Sequence, residues 1–476
     1  VIGLARIAGP IACLGLAVLL MARTRRNRIG GLAYTAVGAA LLMASLTPGT
    51  AGQLAIAVVA LVGGGLVLAW LFRSEPWLVA FLALVGIPLR VNVLHHQLLA
   101  VEYVVAAGAA FNLLRELVEG DERVRELRLA TKPLALYLAW VGISLGWTLD
   151  LRTAAIDLLA VYIPFAIIAL SIARLPWQPL RLRILYGELV AMALIFAGVG
   201  LYQYETRNIF ENPKVITANA YAAFFRVNSL FWDPSVYGRF LVVALVPTAV
   251  LIVRGRSVRA GLAAAVFAVV AWIGLLISFS QSSFAALIVA VACLCAVAWR
   301  WRSLAVVVAA VVLLVGAAVA EPKLLHGLRH HGVSEVNKLA SGRGSLIYNG
   351  IRIAKRHPVN GVGLGGFPRA YSRLTHRHIR KSASHNTPVT VAAEEGAIGF
   401  LLYAWFLVSI FKTAFRRIDR DTIGLVSLAA GLVLVAIFVH SLAYDDFFED
   451  PTTWLAFGLI GLMAPLRLRA KPPPQP

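Results

Sequence analysis

Charge is scarce in this sequence. Of its 476 residues 14% are charged and 60% apolar, with a mean hydropathy of +0.80, where soluble domains run nearer a quarter charged and half apolar. A soluble core is excluded. So is a large separate catalytic domain, since at ~20 residues per span the apolar residues are consumed by roughly fourteen transmembrane helices. Strand-like alternation is missing as well: the apolar stretches run unbroken where an outer-membrane barrel would alternate within ~10-residue segments. Cysteine is nearly absent, and Cys13, Cys293 and Cys295 all lie in apolar stretches, which leaves neither a disulfide framework nor metal-ligand spacing. Acid is the scarcer sign of charge, with 23 Asp and Glu against 44 Lys and Arg and a formal net charge of +21. In a soluble chain that would point to nucleic acid. Here most of the cations separate apolar segments and report topology, so no nucleic-acid partner is expected.

What remains is an all-α polytopic membrane protein, with about fourteen spans in a range of roughly 12–15. Apolar runs are visible at about 1–22, 29–46, 54–72, 77–93, 98–114, 132–149, 154–173, 184–203, 237–253, 261–279, 283–299, 303–320, 397–413, 422–440 and 453–466. The first is too long, and lacks the flanks, for a cleaved signal peptide. Arginine-rich connectors around Arg23–Arg28, Arg174–Arg183, Arg254–Arg259, Arg300–Arg302, Arg416–Arg420 and Arg467–Arg469 fall on alternate turns and all fit the cytoplasmic side. The expected organisation is an N-terminal bundle over 1–203, an external loop over 204–236, a transmembrane core over 237–320, a long external catalytic loop over 321–396, and C-terminal spans with a short cytoplasmic tail over 397–476. Loops of such length are functional or disordered in compact proteins.

The 321–396 segment holds twelve Lys and Arg against four Glu, together with seven of the ten His. An anionic ligand accounts for that excess; contact with anionic lipid headgroups is the plainer alternative. Leu346, Ile347, Ile351 and Ala354 make an apolar stripe at helical spacing among Arg343, Arg352, Lys355 and Arg356, which reads as a short helix lying at the membrane interface. Beyond His357-Pro358, the glycines of Gly361-Val-Gly363-Leu-Gly365-Gly366 read as a tight turn that brings backbone close to something. They follow a helix, so the formal dinucleotide pattern within them carries little weight. Helix resumes near Thr387 and places His385-Asn386 at its N-terminus, where backbone N–H groups favour anions.

Three segments together resemble one family. Arg226-Val-Asn-Ser229-Leu-Phe231 with Trp232-Asp233-Pro234, Arg343 with His357-Pro358-Val-Asn-Gly361-Val-Gly363, and His385-Asn386 followed after nine residues by Gly396-Ala-Ile-Gly399 are similar to the signature elements of the O-antigen ligase and polymerase superfamily. The resemblance covers about 220–400 by motif. At the turn near 280 the family often carries Ser-Arg-Gly, whereas this chain has Ser280-Gln281-Ser282, so Gln281 stands where an arginine would help hold a pyrophosphate.

The resemblance implies a bacterial glycosyltransferase of the cytoplasmic membrane, acting on its external face, where the glycan donor is a lipid diphosphate of the undecaprenyl type. A diphosphate leaving group needs cationic clamps more than a general acid. Arg226 and Arg343 suit that role, since guanidinium grips phosphate bidentately and keeps its charge. An acceptor hydroxyl needs a base near neutral pH, and His385 is the candidate, free imidazole titrating near ~6.5. Asn386, Gln281, Asp233 and Glu395 complete the substrate-binding set, with Asp233 and Glu394-Glu395 as alternative bases or orienters of His385. No Asp-x-Asp or His-Glu-x-x-His run lies near these loops, so a metal- and cofactor-independent displacement is expected. Partners are then the lipid-linked donor, a glycan or lipid acceptor and membrane lipids. The acidic run Asp445–Asp450 reads as a solvated turn, and Trp232, Trp454 and Tyr444 as interface-belt residues.

Overall fold

In the computed structural model the described residues are 2–46, 51–88, 91–93, 96–120, 130–210, 212–221, 224–299, 305, 343–376, 383–416 and 418–469. They form eighteen α-helices and one two-stranded hairpin, so the helical class holds with that small exception. In chain order the elements begin α1 (Ala5–Met21), α2 (Arg25–Leu46), α3 (Ala51–Ser74), α4 (Leu78–Gly86), β1 (Val91–Val93), β2 (His96–Leu98), α5 (Ala100–Glu119) and α6 (Thr131–Ser144). They continue α7 (Leu151–Asp157), a π-helical turn (Leu158–Tyr162), α8 (Ile163–Arg174), α9 (Pro179–Thr206), α10 (Pro213–Tyr221), α11 (Pro234–Arg254), α12 (Val258–Ser278) and α13 (Gln281–Trp299). After 306–342, which lie outside the described residues, come α14 (Arg343–Arg356), α15 (Phe367–Thr375), α16 (Thr387–Ala414), α17 (Thr422–Ser441) and α18 (Pro451–Arg469).

Among the described residues nine helical stretches are long and apolar enough to cross a membrane, α7, the π turn and α8 counting as one. The expected run 303–320 lies outside the described residues, apart from Leu304's neighbour Ala305. Expected span 77–93 is not one helix: Pro88 cannot continue α4, and the chain turns back through the hairpin, Val91 opposite Leu98 and Val93 opposite His96.

Small residues set the packing where helices approach closely. Gly15 of α1 and Gly31 of α2 each lie against the other helix's backbone, a Cβ on Gly15 falling 2.8 Å from the Gly31 carbonyl oxygen. That is how helices gain dispersion contact when lipid removes the hydrophobic incentive. Arginines of the first three connectors make their contacts at helix ends. There Arg25 donates to the Val118 carbonyl, Arg174 pairs with Glu116 at 2.8 Å, Arg181 with Glu75 at 3.5 Å, and Arg254 donates to Ile418 O at 2.5 Å.

Candidate active site

Two motif segments far apart in sequence are knitted together through their backbones. Helix α16 is broken at Gly396, whose φ of 65° and ψ of −166° take it out of the helical ladder. The groups thus freed cannot stay unpaired in a buried place, and the 358–363 segment pairs with them. Val362 N donates to Ala393 O at 3.0 Å, Gly363 N to Glu394 O at 2.7 Å, Ala397 N to Pro358 O at 2.8 Å and Ile398 N to Val359 O at 3.3 Å. Contact is close enough to require glycine on both sides. A Cβ on Gly361 would lie 2.2 Å from Glu394 O, and one on Gly396 2.3 Å from Val359 O. The tight turn expected over 361–366 is therefore present, and what its backbone approaches is the chain's own α16 and the α6–α7 turn, where Leu149 N donates to Val362 O and Thr148 Oγ1 to Leu364 O.

The knit fixes Glu394 and Glu395 side by side. Glu394 accepts from the N–H groups of Gly365 and Phe367, both at 3.0 Å. Glu395 accepts from Ser144 Oγ at 3.3 Å, and its backbone carbonyl takes the Trp140 indole N–H at 3.0 Å. Ten residues before Glu395, His385 holds a left-handed φ of 60°, an uncommon state for a non-glycine residue that concentrates at functional sites. Its ring lies edge-on to Tyr444, 5.9 Å between centroids. Asn386 caps α16, its side chain accepting from Val389 N and donating to Leu442 O at 2.9 Å.

Between α16, the π turn and the 443–450 turn is a cavity of about 90 Å³. Asp157, Tyr162, Glu394, Glu395, Asp445 and Phe448 are among its walls. A π turn opens the helical ladder by one residue and is often found at functional sites; here it presents Val161 and Tyr162 to the cavity. Asp445 accepts from the Thr390 hydroxyl, and burial lifts its carboxyl above the usual range, that hydrogen bond opposing the shift.

A second group forms at the α12–α13 turn. Val227 N donates to Ile277 O at 3.2 Å, Arg226 Nε to Ser278 O at 3.2 Å, and Phe224 stacks on Phe279 at 4.6 Å. Asn219 of α10 brackets the Arg226 backbone with two hydrogen bonds. Gln281, exposed, opens α13, and Ser280 caps that helix. Ser229 and Phe279 both take left-handed φ, 52° and 48°.

Arg226 and Gln281 thus flank one turn, and His385 and Asn386 stand at the start of the helix that carries Glu395, but of these residues Glu395 alone is among the cavity walls, which include none of Arg226, Gln281, Asp233, His385 or Asn386. Helix α11 links the groups. Asp233 caps its first turn by accepting from Ser235 N at 2.7 Å. Six residues on, about 9 Å along the axis, buried Arg239 pairs with Asp446 and, at 2.5 Å, with Asp450. Asp233 has a structural role as this cap. The Arg343 side chain lies outside the described residues; its backbone starts α14, whose buried line is Leu346, Asn349 and Ile353. That line packs on α15 and α16, whereas Ile351 is 43% exposed, so the expected stripe is rotated and the helix docks on protein.

Comparison with protein families gives a match to the model described as O-antigen ligase over residues 266–404. Comparison with curated proteins found no match. The matched region runs from within α12 to within α16 and so contains Gln281, Arg343, His385, Asn386, Glu395 and the whole backbone knit. Arg226, Asp233 and the 443–450 turn stand outside it and reach it through the contacts above.

Sequence reasoning missed Arg239 and misjudged its partners. Asp446 and Asp450 are buried, at 5% and 3% exposure, so the acidic run is no solvated turn; an arginine inside an apolar run was the available signal, since such a residue demands a partner. Trp454 is wholly buried, donating to Phe448 O at 2.7 Å, and is not a belt residue. Asp157 and Tyr162 gave no signal, because a π turn leaves no trace in hydropathy.

Proposed function

We propose that this protein transfers a glycan from a polyprenyl-diphosphate carrier to an acceptor hydroxyl on the external face of the bacterial cytoplasmic membrane. The observation that supports the reading is the knit of His357–Gly366 onto α16 inside the region matched by the O-antigen ligase model, because it fixes the helix that begins just after His385 and brings Glu394 and Glu395 to the wall of a polar cavity. His385 takes the proton of the acceptor hydroxyl as that oxygen attacks the anomeric carbon. The carbon–oxygen bond to the carrier breaks, and the diphosphate leaves with its own charge. Arg226, beside the N-terminus of α13, and Arg343 hold that diphosphate. Gln281 offers the first turn of α13 a neutral hydrogen-bonding partner for phosphate oxygens, and the helix end adds its N–H groups. Asn386 sets the start of α16 and with it the His385 ring.

Ligation to a terminal acceptor and polymerisation onto another lipid-linked repeat differ only in the acceptor, and the His-Asn-x9-Gly-x-x-Gly pattern favours ligation. Translocation of the same lipid has one observation in its favour: discontinuous helices with carboxylates beside the break are a transporter device, and α16 has such a break next to Glu394 and Glu395. Incubating the purified protein with a polyprenyl-diphosphate oligosaccharide and a glycolipid acceptor decides between them. Release of carrier diphosphate is expected; movement of intact donor across a proteoliposome with no release would replace transfer by transport.

A further inference from the structure

The cavity between α16 and the 443–450 turn is lined by several carboxyls. Asp446 is committed to Arg239, Glu394 to two backbone N–H groups and Asp445 to Thr390. Glu395 is only half committed. Its Oε1 accepts from Ser144, while Oε2 is buried without a hydrogen-bond partner on a residue 2% exposed to solvent, and the side chain lines the cavity. An orphaned buried acceptor is destabilising, more so when charged, and a carboxylate can be satisfied only by a donor. No Lys or Arg is among the described residues that form the walls.

These features select a ligand. A diphosphate finds no cation among the described walls, and burying a charge without a partner is costly. At about 90 Å³ the space is well above the ~10–15 Å³ that one water needs. It admits a hydroxyl-bearing arm. The rings of Tyr162 and Phe448 supply an apolar wall for such an arm's carbon.

We propose that this cavity is the acceptor subsite: it receives a hydroxyl-bearing arm of the acceptor glycan, which donates its O–H to Glu395 Oε2, and it rejects acceptors that carry a carboxylate or phosphate on that arm. The inference rests on the transfer reading above and adds the acceptor's chemical class, neutral or cationic at the reacting end. Donor and acceptor are thereby sorted by charge, with the diphosphate at Arg226 and the polyol at Glu395.

The test reads binding without any donor. Saturation-transfer NMR on the full-length protein in detergent, with methyl glucoside, methyl glucosaminide and methyl glucuronide as probes, measures preference directly. The wild type is expected to bind the first two at least about tenfold better than the glucuronide. Glu395→Gln keeps the side chain's size and removes its charge, and should shrink the gap to within about threefold. Asp157→Asn, which removes a charge from the same cavity on a different helix, serves where Glu395→Gln fails to fold and should narrow the gap in the same direction. Absence of binding by all three probes, equal binding of the glucuronide by the wild type, or an unchanged preference in the folded variant overturns the subsite. Absent glycan transfer alongside a Glu395-dependent preference would instead overturn the transfer reading.

Discussion

A single side chain carries the proposed proton transfer, and at that scale the expectations are sharp. His385→Gln preserves size and a hydrogen bond but takes no proton near neutral pH, so transfer is expected to fall ~10²–10⁴-fold while the lipid-linked donor still binds, measured by carrier release and by donor pull-down in parallel. Full activity of the Gln variant would reduce His385 to an orienting role. Arg226→Ala should weaken donor use by ~2–5 kcal/mol, as when one partner of a desolvated charge pair is removed, with Lys restoring only part; unchanged kcat/KM for the donor would leave Arg226 as a tether for the α12 carboxyl end alone. Asp445 gives a prediction in pH. Because burial raises its carboxyl, the folded state holds that proton more tightly than the unfolded chain does. Its contribution to stability is therefore complete below the ordinary carboxylate range of ~3.9 and is lost as pH rises through the raised value. Asp445→Asn should melt higher than wild type at neutral pH and lose that advantage near pH 4.

Helices and turns were legible in the sequence to different depths. The starts of α11 and α16 could be read because Asp233-Pro234 and Asn386-Thr-Pro388 are capping sequences, side-chain acceptor followed by proline in the first turn, and both caps form. What could not be read is the pairing of 358–363 with 393–398. Its hydrogen bonds are all main-chain and its only sequence trace is glycine, which signals close approach without naming the partner. The α14 stripe was misjudged for a related reason: a helix buried on one side by protein and exposed on another shows apolar residues at both, and periodicity does not rank them. Gly396→Ala tests the knit as an element. A Cβ there meets Val359 O at 2.3 Å on a backbone that costs non-glycine residues ~1–3 kcal/mol, so the variant should melt lower in detergent and lose transfer together. Normal melting with normal transfer would show that α16 tolerates a continuous helix.

For the whole molecule, composition alone pointed to the helical membrane class, and among the described residues Arg174, Arg181 and Arg254 make their contacts away from the motif segments. The count of spans was less legible, since short apolar helices such as α4 and α6 resemble spans by hydropathy and stop early. Sidedness is checked by cysteines at Thr217 and Ser257: an impermeant thiol reagent should label the first in intact cells and spare the second. The reverse pattern would put the chemistry in the cytoplasm.

The knit also has a consequence for how this chain can vary. Phe367 leaves from Glu394 by its N–H, and Ser384 returns to Thr390 one helical turn away, the Ser384 hydroxyl within 2.9 Å of the Thr390 hydroxyl. The intervening 368–383 is therefore an excursion whose two ends are moored to the same helix, independently of its own length. Closing a longer loop between fixed moorings costs only about 0.6 kcal/mol per doubling. Within it α15 is docked in its own right, with Ala370 and Tyr371 buried and Arg369 paired with Asp150 at 2.9 Å, so a change of length is expected to be tolerated after Thr375 and not before it.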